Sequence, residues 1–179
     1  MELWDVYTKD RKLTGRTHVR GSVPALVEGD YHIVIDVWTF LPDGRLILSQ
    51  RDPAKPHGLK WESTGGSITT GESSLLGAAR EVEEELGLLL NSDEMILLGE
   101  QIRNDSLIDV YVTRLPKRIS LDELSYQVGE VVDARIVTKD EFFEMEAQGL
   151  LTHNMLPRYE LYKEIFDTYF EPVPVLETK

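Results

Sequence analysis

The sequence predicts an α+β fold, in which a mixed β-sheet is covered by helices and preceded by an N-terminal β-hairpin. Segments rich in β-branched and aromatic residues dominate the first part of the chain, one amphipathic helix interrupts them, and further helices follow near the end. Strands and helices do not alternate regularly, which argues against a doubly wound parallel fold. A chain of 179 residues is long enough for one such domain.

Composition excludes several classes of protein. The chain has no cysteine, which rules out disulfides, thiolate metal sites and cysteine nucleophiles. Its formal net charge of −13 argues against nucleic-acid binding, because an acidic surface repels a phosphate backbone. No apolar run approaches the roughly 20 residues that a membrane span needs. The first residues lack the basic and apolar regions of a signal peptide, so we expect a cytoplasmic protein without membrane contact.

The N-terminal part of the chain is predicted to be a hairpin. Residues 3–20 contain two short strand-like segments around a polar turn at residues 9–12, and residues 21–30 read as a loop. Two prolines near the C-terminus predict a frayed end. We therefore expect three parts: a hairpin extension at residues 1–30, the main domain at 31–170 and a tail at 171–179.

The main domain begins with the best strand candidate. Residues 31–41 are β-branched and aromatic, as in a buried strand. A Pro-Asp-Gly turn follows at residues 42–44, and residues 45–50 are predicted to complete a hairpin. Later strands are predicted at residues 95–101, 107–113 and 130–137.

Two helices are predicted in the last third of the chain. Residues 139–148 form a short helix with Thr138 as its N-cap. Residues 153–169 form one last helix in which Pro157 lies near the first turn, where proline is tolerated.

Residues 66–88 hold the segment that points to a function. Glu81, Glu84 and Glu85 are three and four positions apart, so on a helix they share one face, while Glu83 points elsewhere. Each like-charge pair at this spacing costs a few tenths of a kcal/mol, and a bound Mg²⁺ would reverse that cost. On spacing alone, a solvated helix face explains the carboxylates equally well. The apolar stripe expected to face the core consists of Leu75, Ala79, Val82 and Leu86.

The same segment has a recognisable pattern. It reads Gly66, five residues, Glu72, seven residues, then Arg80-Glu81-Val82, one residue, Glu84-Glu85, one residue and Gly87-Leu88. This pattern resembles the complete signature of the Nudix hydrolases. The resemblance implies an α/β/α sandwich, and hydrolysis of a nucleoside diphosphate linked to another moiety, or of a similar small diphosphate. It also implies Mg²⁺ as the cofactor, with Mn²⁺ as the other candidate ion.

The resemblance assigns roles to residues. The implied metal-binding groups are the carboxylates of Glu81, Glu84 and Glu85 and the carbonyl of Gly66. Arg80 belongs to the implied catalytic set, and with Glu72 it is expected to orient the carboxylates. The general base is left open among Glu81, Glu84 and Glu130, because a carboxylate beside the metal can take a proton from water.

Residues before the signature are candidates for binding the substrate. Residues 51–60 form a predicted loop with two prolines and several basic side chains, and it resembles a pyrophosphate-binding segment. Loop solubility is the other explanation for these charges. The substrate-binding candidates are Arg51, Lys55, Lys60, Gly65 and Gly66.

Segments outside the signature suggest a branch of the family. Residues 14–21, 31–32 and 47–66 resemble the isopentenyl diphosphate isomerase-like branch. The type I isomerase needs an active-site cysteine, which this chain lacks, so we expect hydrolysis. A prenyl diphosphate isomerase or binding enzyme is one alternative, and a non-catalytic ligand-sensing domain is another, although such domains tend to lose the signature glutamates. Family members often dimerise, so the hairpin at residues 3–20 is a candidate contact for a homodimer.

Three further residues have specific expectations. Trp38 lies within a strand and is predicted to be in the core. His32, at the start of that strand, is expected to be structural rather than a substrate contact. Glu62 is a candidate for a fourth carboxylate near the metal cluster.

Overall fold

The structure is a computed structural model that describes residues 2–22 and 26–174. Four helices are described: α1 (Ser74–Leu86), α2 (Lys139–Ala147), α3 (Met155–Leu161) and α4 (Lys163–Phe170). The described strands are β1 (Leu3–Tyr7), β2 (Leu13–Val19), β3 (His32–Phe40), β4 (Leu46–Arg51), β5 (Trp61–Glu62), β6 (Thr64–Ser67), β7 (Ile96–Arg103), β8 (Ser106–Arg114) and β9 (Val131–Val137).

A mixed seven-stranded sheet forms the centre of the molecule. Its main path is β5-β4-β3-β8-β7, with β6 paired to β3 and β9 paired to β4. β3 and β8 run parallel, and the other strand pairs are antiparallel. β1 and β2 form a separate antiparallel hairpin. The predicted α+β fold with a mixed sheet and an N-terminal hairpin is therefore confirmed.

The predicted hairpin of residues 31–41 and 45–50 is only partly correct. β3 and β4 are paired at a single position, Phe40 with Leu46. The reason is that β8 occupies one edge of β3 along its whole length, while β6 occupies the other edge from Val34 to Val37. β4 therefore diverges after the turn and pairs with β9 and β5 instead.

Helices cover both faces of the sheet because side chains along β3 alternate between them. Ile33, Ile35 and Val37 pack in one apolar cluster with Ala78 and Val82 of α1. The opposite cluster combines strand residues with residues of α2, α3 and α4: Trp38, Phe40, Phe142, Tyr159, Phe166 and Phe170. The result is a three-layer α/β/α arrangement with α1 alone on its side.

The prediction of one helix at residues 153–169 is wrong. The structure has two helices that meet at Tyr162, whose φ of −115° and ψ of 25° are not helical. Tyr162 instead packs against Gly99 of β7, and its hydroxyl accepts a hydrogen bond of 3.4 Å from Gln101. Pro157 is in the first turn of α3, as predicted. The predicted Thr138 N-cap of α2 is confirmed, with its hydroxyl accepting from the Glu141 amide.

The N-terminal hairpin packs against the rest of the fold. Tyr7 forms a bridge with Tyr31 just before β3, and the Gly71 amide donates to Asp5 at 2.8 Å. The hairpin therefore supports the loop that precedes α1.

The predicted loop and tail are only partly described. Residues 23–25 of the loop and 175–179 of the tail lie outside the described residues. The Val173 amide donates to the Pro42 carbonyl at 2.8 Å, so the start of the tail contacts the turn after β3. No helix in the described part of the chain has the length and apolar character needed to cross a membrane.

Candidate active site

Helix α1 carries the signature carboxylates, and a capping residue fixes each of its ends. The Ser73 side chain caps the N-terminus by accepting a hydrogen bond of 3.3 Å from the Leu76 amide. Gly87 ends the helix with a φ of 70°, a left-handed conformation that favours glycine. Val82 and Leu86 are buried, and Leu75 and Ala79 pack at the edge of the core, so the predicted apolar stripe is confirmed.

Arg80 connects the carboxylates of this region. Its Nε donates to Glu72 at 2.9 Å, and its Nη1 donates to Glu81 at 3.0 Å and to Glu84 at 2.9 Å. Nη2 reaches the Ser67 carbonyl at 3.2 Å. Hydrogen bonds to Glu72 raise the pKa of Arg80, so the guanidinium stays charged. Burial opposes ionisation of Glu72, but hydrogen bonds from Arg80 and Thr69 outweigh it and lower the pKa of that carboxyl. The structure therefore gives Arg80 an orienting position.

Glu81 lies directly against the glycine that begins the signature. A Cβ atom placed on Gly66 would overlap the carboxylate of Glu81, so only glycine leaves room for it. Burial raises the pKa of Glu81, and Arg80 partly offsets this effect. The close contact brings the Gly66 backbone and the Glu81 carboxylate to one point, as the sequence signature implied.

Glu85 is the most unusual carboxylate of the site. The residue is only 7% exposed, and among the described residues its carboxylate takes part in no hydrogen bond or ion pair. Burial raises its pKa well above the usual range, the charges of Glu62, Glu81 and Glu130 raise it further, and the charge of Arg51 opposes this shift in part. Glu84 differs, with 42% of its side chain exposed. The site therefore holds a buried carboxyl group surrounded by other carboxylates, which is costly without a cation.

The donor set fits a hard divalent cation. Carboxylate and carbonyl oxygens are the ligands that Mg²⁺ and Mn²⁺ prefer. Among the described residues the buried Glu85 forms no direct ion pair, and Arg51 acts on it only from a distance. In the arrangement described for residues 2–22 and 26–174, no three acidic or histidine side chains converge closely enough to hold a metal ion. Arg80 holds Glu81 and Glu84 by hydrogen bonds in this arrangement.

A cavity of about 350 Å³ lies beside the signature. It is lined by residues from β2 to α3: Arg20, Val34, Ile35, Asp36, Arg51, Glu62, Ser63, Gly65, Gly66, Ser67, Arg103, Asn104, Ser106, Ile108, Asn154 and Arg158. A volume near the low end of the usual range for ligand sites suits a small ligand.

The structure brings some of the predicted substrate-binding residues to this cavity and leaves others away from it. Arg51, Gly65 and Gly66 line the cavity. Lys55 forms an ion pair with Glu130 and is not among the lining residues. Lys60 contacts the Gly149 carbonyl and does not line the cavity.

Glu130 and Glu62 come close to the signature from outside it. Glu130 lies just before β9 and influences the charge state of Glu85. Glu62, on β5, pairs with Arg51, and burial raises its pKa. Both carboxylates are therefore near Glu85, and the expectation for Glu62 as a nearby carboxylate agrees with the geometry.

Sequence reasoning missed three arginines of the cavity. Arg20 comes from the end of the hairpin, Arg103 from the end of β7 and Arg158 from α3. Arg158 is buried and pairs with Asp36 of β3, and burial lowers its pKa to about 10, which leaves it charged at neutral pH. The three lie far apart in the sequence, and no local spacing connects them. Only the unusual concentration of positive charge in the folded cavity identifies them.

His32 and Trp38 have the structural roles predicted for them. Trp38 is fully buried and stacks on Phe166 with ring centroids 4.1 Å apart. His32 stacks on Trp4 of the hairpin at 4.0 Å, and burial lowers its pKa. Neither ring lines the cavity.

Comparisons with known proteins agree with the geometry. The NUDIX domain family model matches residues 30–159. An uncharacterized Nudix hydrolase of Listeria monocytogenes is 35% identical over 151 residues, which are 83% of this chain and 87% of that protein. Nudix hydrolase 3 of Arabidopsis thaliana is 34% identical over 154 residues, 79% of this chain but only 20% of the plant protein.

Solved structures resemble the fold at low sequence identity. A crystal structure from Deinococcus radiodurans has a TM-score of 0.67 at 18% identity, covering 84% of this chain and 92% of that one. The NUDIX domain of Shewanella oneidensis NrtR, solved with ADP ribose, has a TM-score of 0.62 at 17% identity and covers 82% of this chain and 94% of its own. These likenesses concern the arrangement of strands and helices.

Proposed function

Because this chain belongs to the Nudix family of hydrolases, which act on diphosphate bonds, we propose that it is a divalent-metal-dependent pyrophosphohydrolase of a small molecule. The observation that carries this proposal is the buried carboxyl group of Glu85 among other carboxylates, on a helix whose Glu81 contacts Gly66 in the wall of a cavity lined by arginines. The chain has a net charge of −13, which repels an anionic substrate, but the arginines of the cavity attract such a substrate locally.

The proposed metal ligands are the carboxylates of Glu81, Glu84 and Glu85 and the carbonyl of Gly66. A bound Mg²⁺ or Mn²⁺ would neutralise charge on the diphosphate oxygens. A bifunctional NMN adenylyltransferase/ADP ribose pyrophosphatase of Francisella tularensis, similar in fold with a TM-score of 0.58, was solved with AMP and a manganese ion. This likeness supports Mn²⁺ as the second candidate ion.

The reaction consumes one water molecule. The water oxygen bonds to one phosphorus, the bridging P–O bond breaks, and the two phosphate groups separate with release of a proton. Glu81, Glu84 and Glu130 are the candidates to accept that proton. Arg51 and Arg20 line the cavity, and their guanidinium groups are suited to donate hydrogen bonds to phosphate oxygens. Arg80 keeps Glu81 and Glu84 in place.

The proposed substrate class is a nucleoside diphosphate linked to another moiety or a similar small diphosphate. The ADP ribose bound to the NrtR domain supports a nucleoside diphosphate linked to another moiety, by analogy of fold. The isopentenyl diphosphate isomerase-like branch is the competing proposal within the family, and it rests on the resemblance of residues 14–21, 31–32 and 47–66.

A phosphate-release screen with Mg²⁺ and Mn²⁺ tests the proposal. Nucleotide, nucleotide-sugar, dinucleoside and prenyl diphosphates are supplied to the wild type and to Glu84→Gln and Glu85→Gln, with Glu83→Gln as the matched control on the exposed side of the helix. We expect metal-dependent turnover that the first two variants lose and the control keeps.

Each contrary outcome has a distinct meaning. Wild-type turnover by Glu85→Gln would remove the metal assignment. Conversion of isopentenyl diphosphate to its allylic isomer would replace hydrolysis by isomerisation. Tight binding of one diphosphate without turnover of any would favour a ligand-sensing domain.

The homodimer and the cytoplasmic location remain predictions. Light scattering of the purified chain measures the oligomeric state, and a monomeric mass would exclude the hairpin as a dimer contact. Fractionation of the producing cells tests the cytoplasmic location.

A further inference from the structure

The cavity offers no aromatic ring to a ligand. None of its lining residues is phenylalanine, tyrosine, tryptophan or histidine. The three tryptophans are engaged elsewhere: Trp4 stacks on His32, Trp38 is in the core and Trp61 lies under the guanidinium of Arg135. The residues outside the described ranges include no aromatic residue either. A nucleobase is usually held by stacking on such a ring, so this cavity lacks the feature that recognises one.

Its apolar lining comes from few side chains. Val34, Ile35 and Ile108 are the apolar side chains among the lining residues, which otherwise include four arginines, two carboxylates and several hydroxyl and amide groups. A prenyl chain needs a mostly apolar pocket. The composition of the wall instead suits a ligand rich in hydroxyl and anionic groups.

The four arginines are not equivalent. Arg20 pairs with Glu2 at 2.8 Å, Arg51 pairs with Glu62, and Arg158 pairs with Asp36. The hydrogen-bond partner of Arg103 is the imidazole of His153. Burial lowers the pKa of His153, and the neighbouring cation Arg103 lowers it further, so this partner is uncharged at neutral pH. Among the described residues, Arg103 is thus the cavity arginine whose charge no carboxylate offsets.

The exposed residues Arg103 and Asn104 line the cavity and define what we call its open end. Asn104 has a φ of 54° in the turn between β7 and β8. Asn154 and Ser106 line the same wall. Deeper in the cavity, the buried Arg158 is paired with Asp36, so its charge is already offset. Arg103 and the amide of Asn154 are therefore donors that the cavity offers to a ligand that brings acceptors.

We propose that the group attached to the diphosphate is a phosphorylated sugar or polyol, without a nucleobase, and that Arg103 binds its additional phosphate. This inference rests on the diphosphate hydrolysis proposed above and narrows its substrate class. The diphosphate lies at the signature end, near Gly66 and Arg51, and the polyhydroxylated part extends along Ser106 and Asn154 to the open end. Guanidinium binds phosphate by two parallel hydrogen bonds, which gives the site specificity as well as affinity.

A substrate comparison tests the class. The full chain with Mg²⁺ is given 5-phosphoribosyl 1-diphosphate, ribosyl 1-diphosphate, ADP-ribose and isopentenyl diphosphate in parallel. We expect kcat/KM for the phosphorylated sugar to exceed each of the others by about 10- to 100-fold, the usual effect of a hydrogen bond to a charged group. A preference for ADP-ribose or isopentenyl diphosphate overturns this inference while the hydrolase function stands. If the protein hydrolyses neither these four compounds nor any other diphosphate in the wider screen, the proposed hydrolase function itself is overturned.

A matched pair of variants tests Arg103. Arg103→Gln removes the cation at the open end, and Arg118→Gln removes an exposed arginine that pairs with Asp43 and does not line the cavity. For Arg103→Gln we expect the loss of kcat/KM on the phosphorylated sugar to exceed the loss on the unphosphorylated one by about tenfold, mainly through KM. Arg118→Gln should behave as the wild type. Equal losses on both sugars would show that Arg103 does not contact the additional phosphate.

Discussion

At the scale of single residues, Glu83 and Glu85 show that the same side chain can be exposed or buried at two nearby positions of one helix. Glu83 is exposed, whereas Glu85 is 7% exposed and faces Glu62, Glu81 and Glu130. The two positions differ by about 200° around the helix axis. A buried carboxyl group without a partner destabilises the fold, and it is retained here at the position where the family signature requires a carboxylate.

The variant Glu85→Gln should therefore separate stability from activity. It removes a buried carboxyl group whose ionisation the fold opposes, so we expect the free energy of unfolding of the metal-free protein at neutral pH to rise by about 1–3 kcal/mol. Metal-dependent hydrolysis should fall by about 100-fold or more. Urea unfolding with EDTA at neutral pH measures the first effect, and phosphate release measures the second.

Glu83→Gln is the control for this variant. Its side chain is exposed, so its stability should stay within about 0.5 kcal/mol of the wild type. A Glu85→Gln protein less stable than the wild type without metal would show that the carboxylate already has a stabilising partner.

At the scale of secondary-structure elements, one buried ion pair connects the hairpin to the sheet and to the signature helix. Arg11, in the turn between β1 and β2, pairs with Asp109 of β8, which is 3% exposed. Ser74, the first residue of α1, donates to the same carboxylate, and the Tyr111 hydroxyl donates to Ser74 at 3.0 Å. The hairpin therefore helps to position the start of the helix that carries the site.

Replacement of Arg11 by glutamine should weaken this connection. Asp109 would remain buried without its cation, which we expect to lower the free energy of unfolding by about 2 kcal/mol, less than for a fully buried pair because Arg11 is partly exposed. The double variant Arg11→Gln/Asp109→Asn should recover most of that loss, because no buried uncompensated charge remains, and the other partner of Arg11, Glu100, is exposed. Urea unfolding of the four proteins measures the coupling, and simple additivity would contradict it.

At the scale of the whole molecule, an acidic surface surrounds a locally cationic cavity. The net charge of −13 implies repulsion spread over the surface, while four arginines line one cavity. The two effects have different ranges. Like charges on the surface repel one another over distances at which salt screens the repulsion. The ion pairs of the cavity arginines are in direct contact, so salt affects them less.

Added salt should therefore stabilise the protein. Raising NaCl from about 10 mM to about 150 mM shortens the Debye length from about 30 Å to about 8 Å, which weakens the surface repulsion. We expect the unfolding temperature of the metal-free protein to rise by about 2–4 °C, equivalent to roughly 1 kcal/mol. Thermal unfolding in NaCl and KCl at equal ionic strength makes the measurement and controls for binding of one ion. A fall in the unfolding temperature would mean that surface ion pairs outweigh the repulsion.

Most strand positions were predictable from the sequence, with the short β5 and β6 as exceptions, but strand partners were not. Side-chain alternation and turn residues located β3 and β4 within a residue or two, because both signals are local. Their pairing depends on which strands occupy the two edges of β3. β6 and β8 occupy those edges, although both come from later parts of the chain. The break between α3 and α4 has a similar origin, since Tyr162 leaves helical geometry while packing against Gly99 of β7.

The sequence by itself determined the family, its reaction class and the buried face of α1, because helical periodicity and the spacing of the signature are properties of neighbouring residues. The order of the strands, the orienting contacts of Arg80 and the burial of Glu85 were decided by tertiary structure. The same holds for the cavity lined by arginines. Arg20, Arg103 and Arg158 meet there only because strand pairing and helix packing bring the hairpin, β7 and α3 together, and no spacing along the chain encodes that meeting.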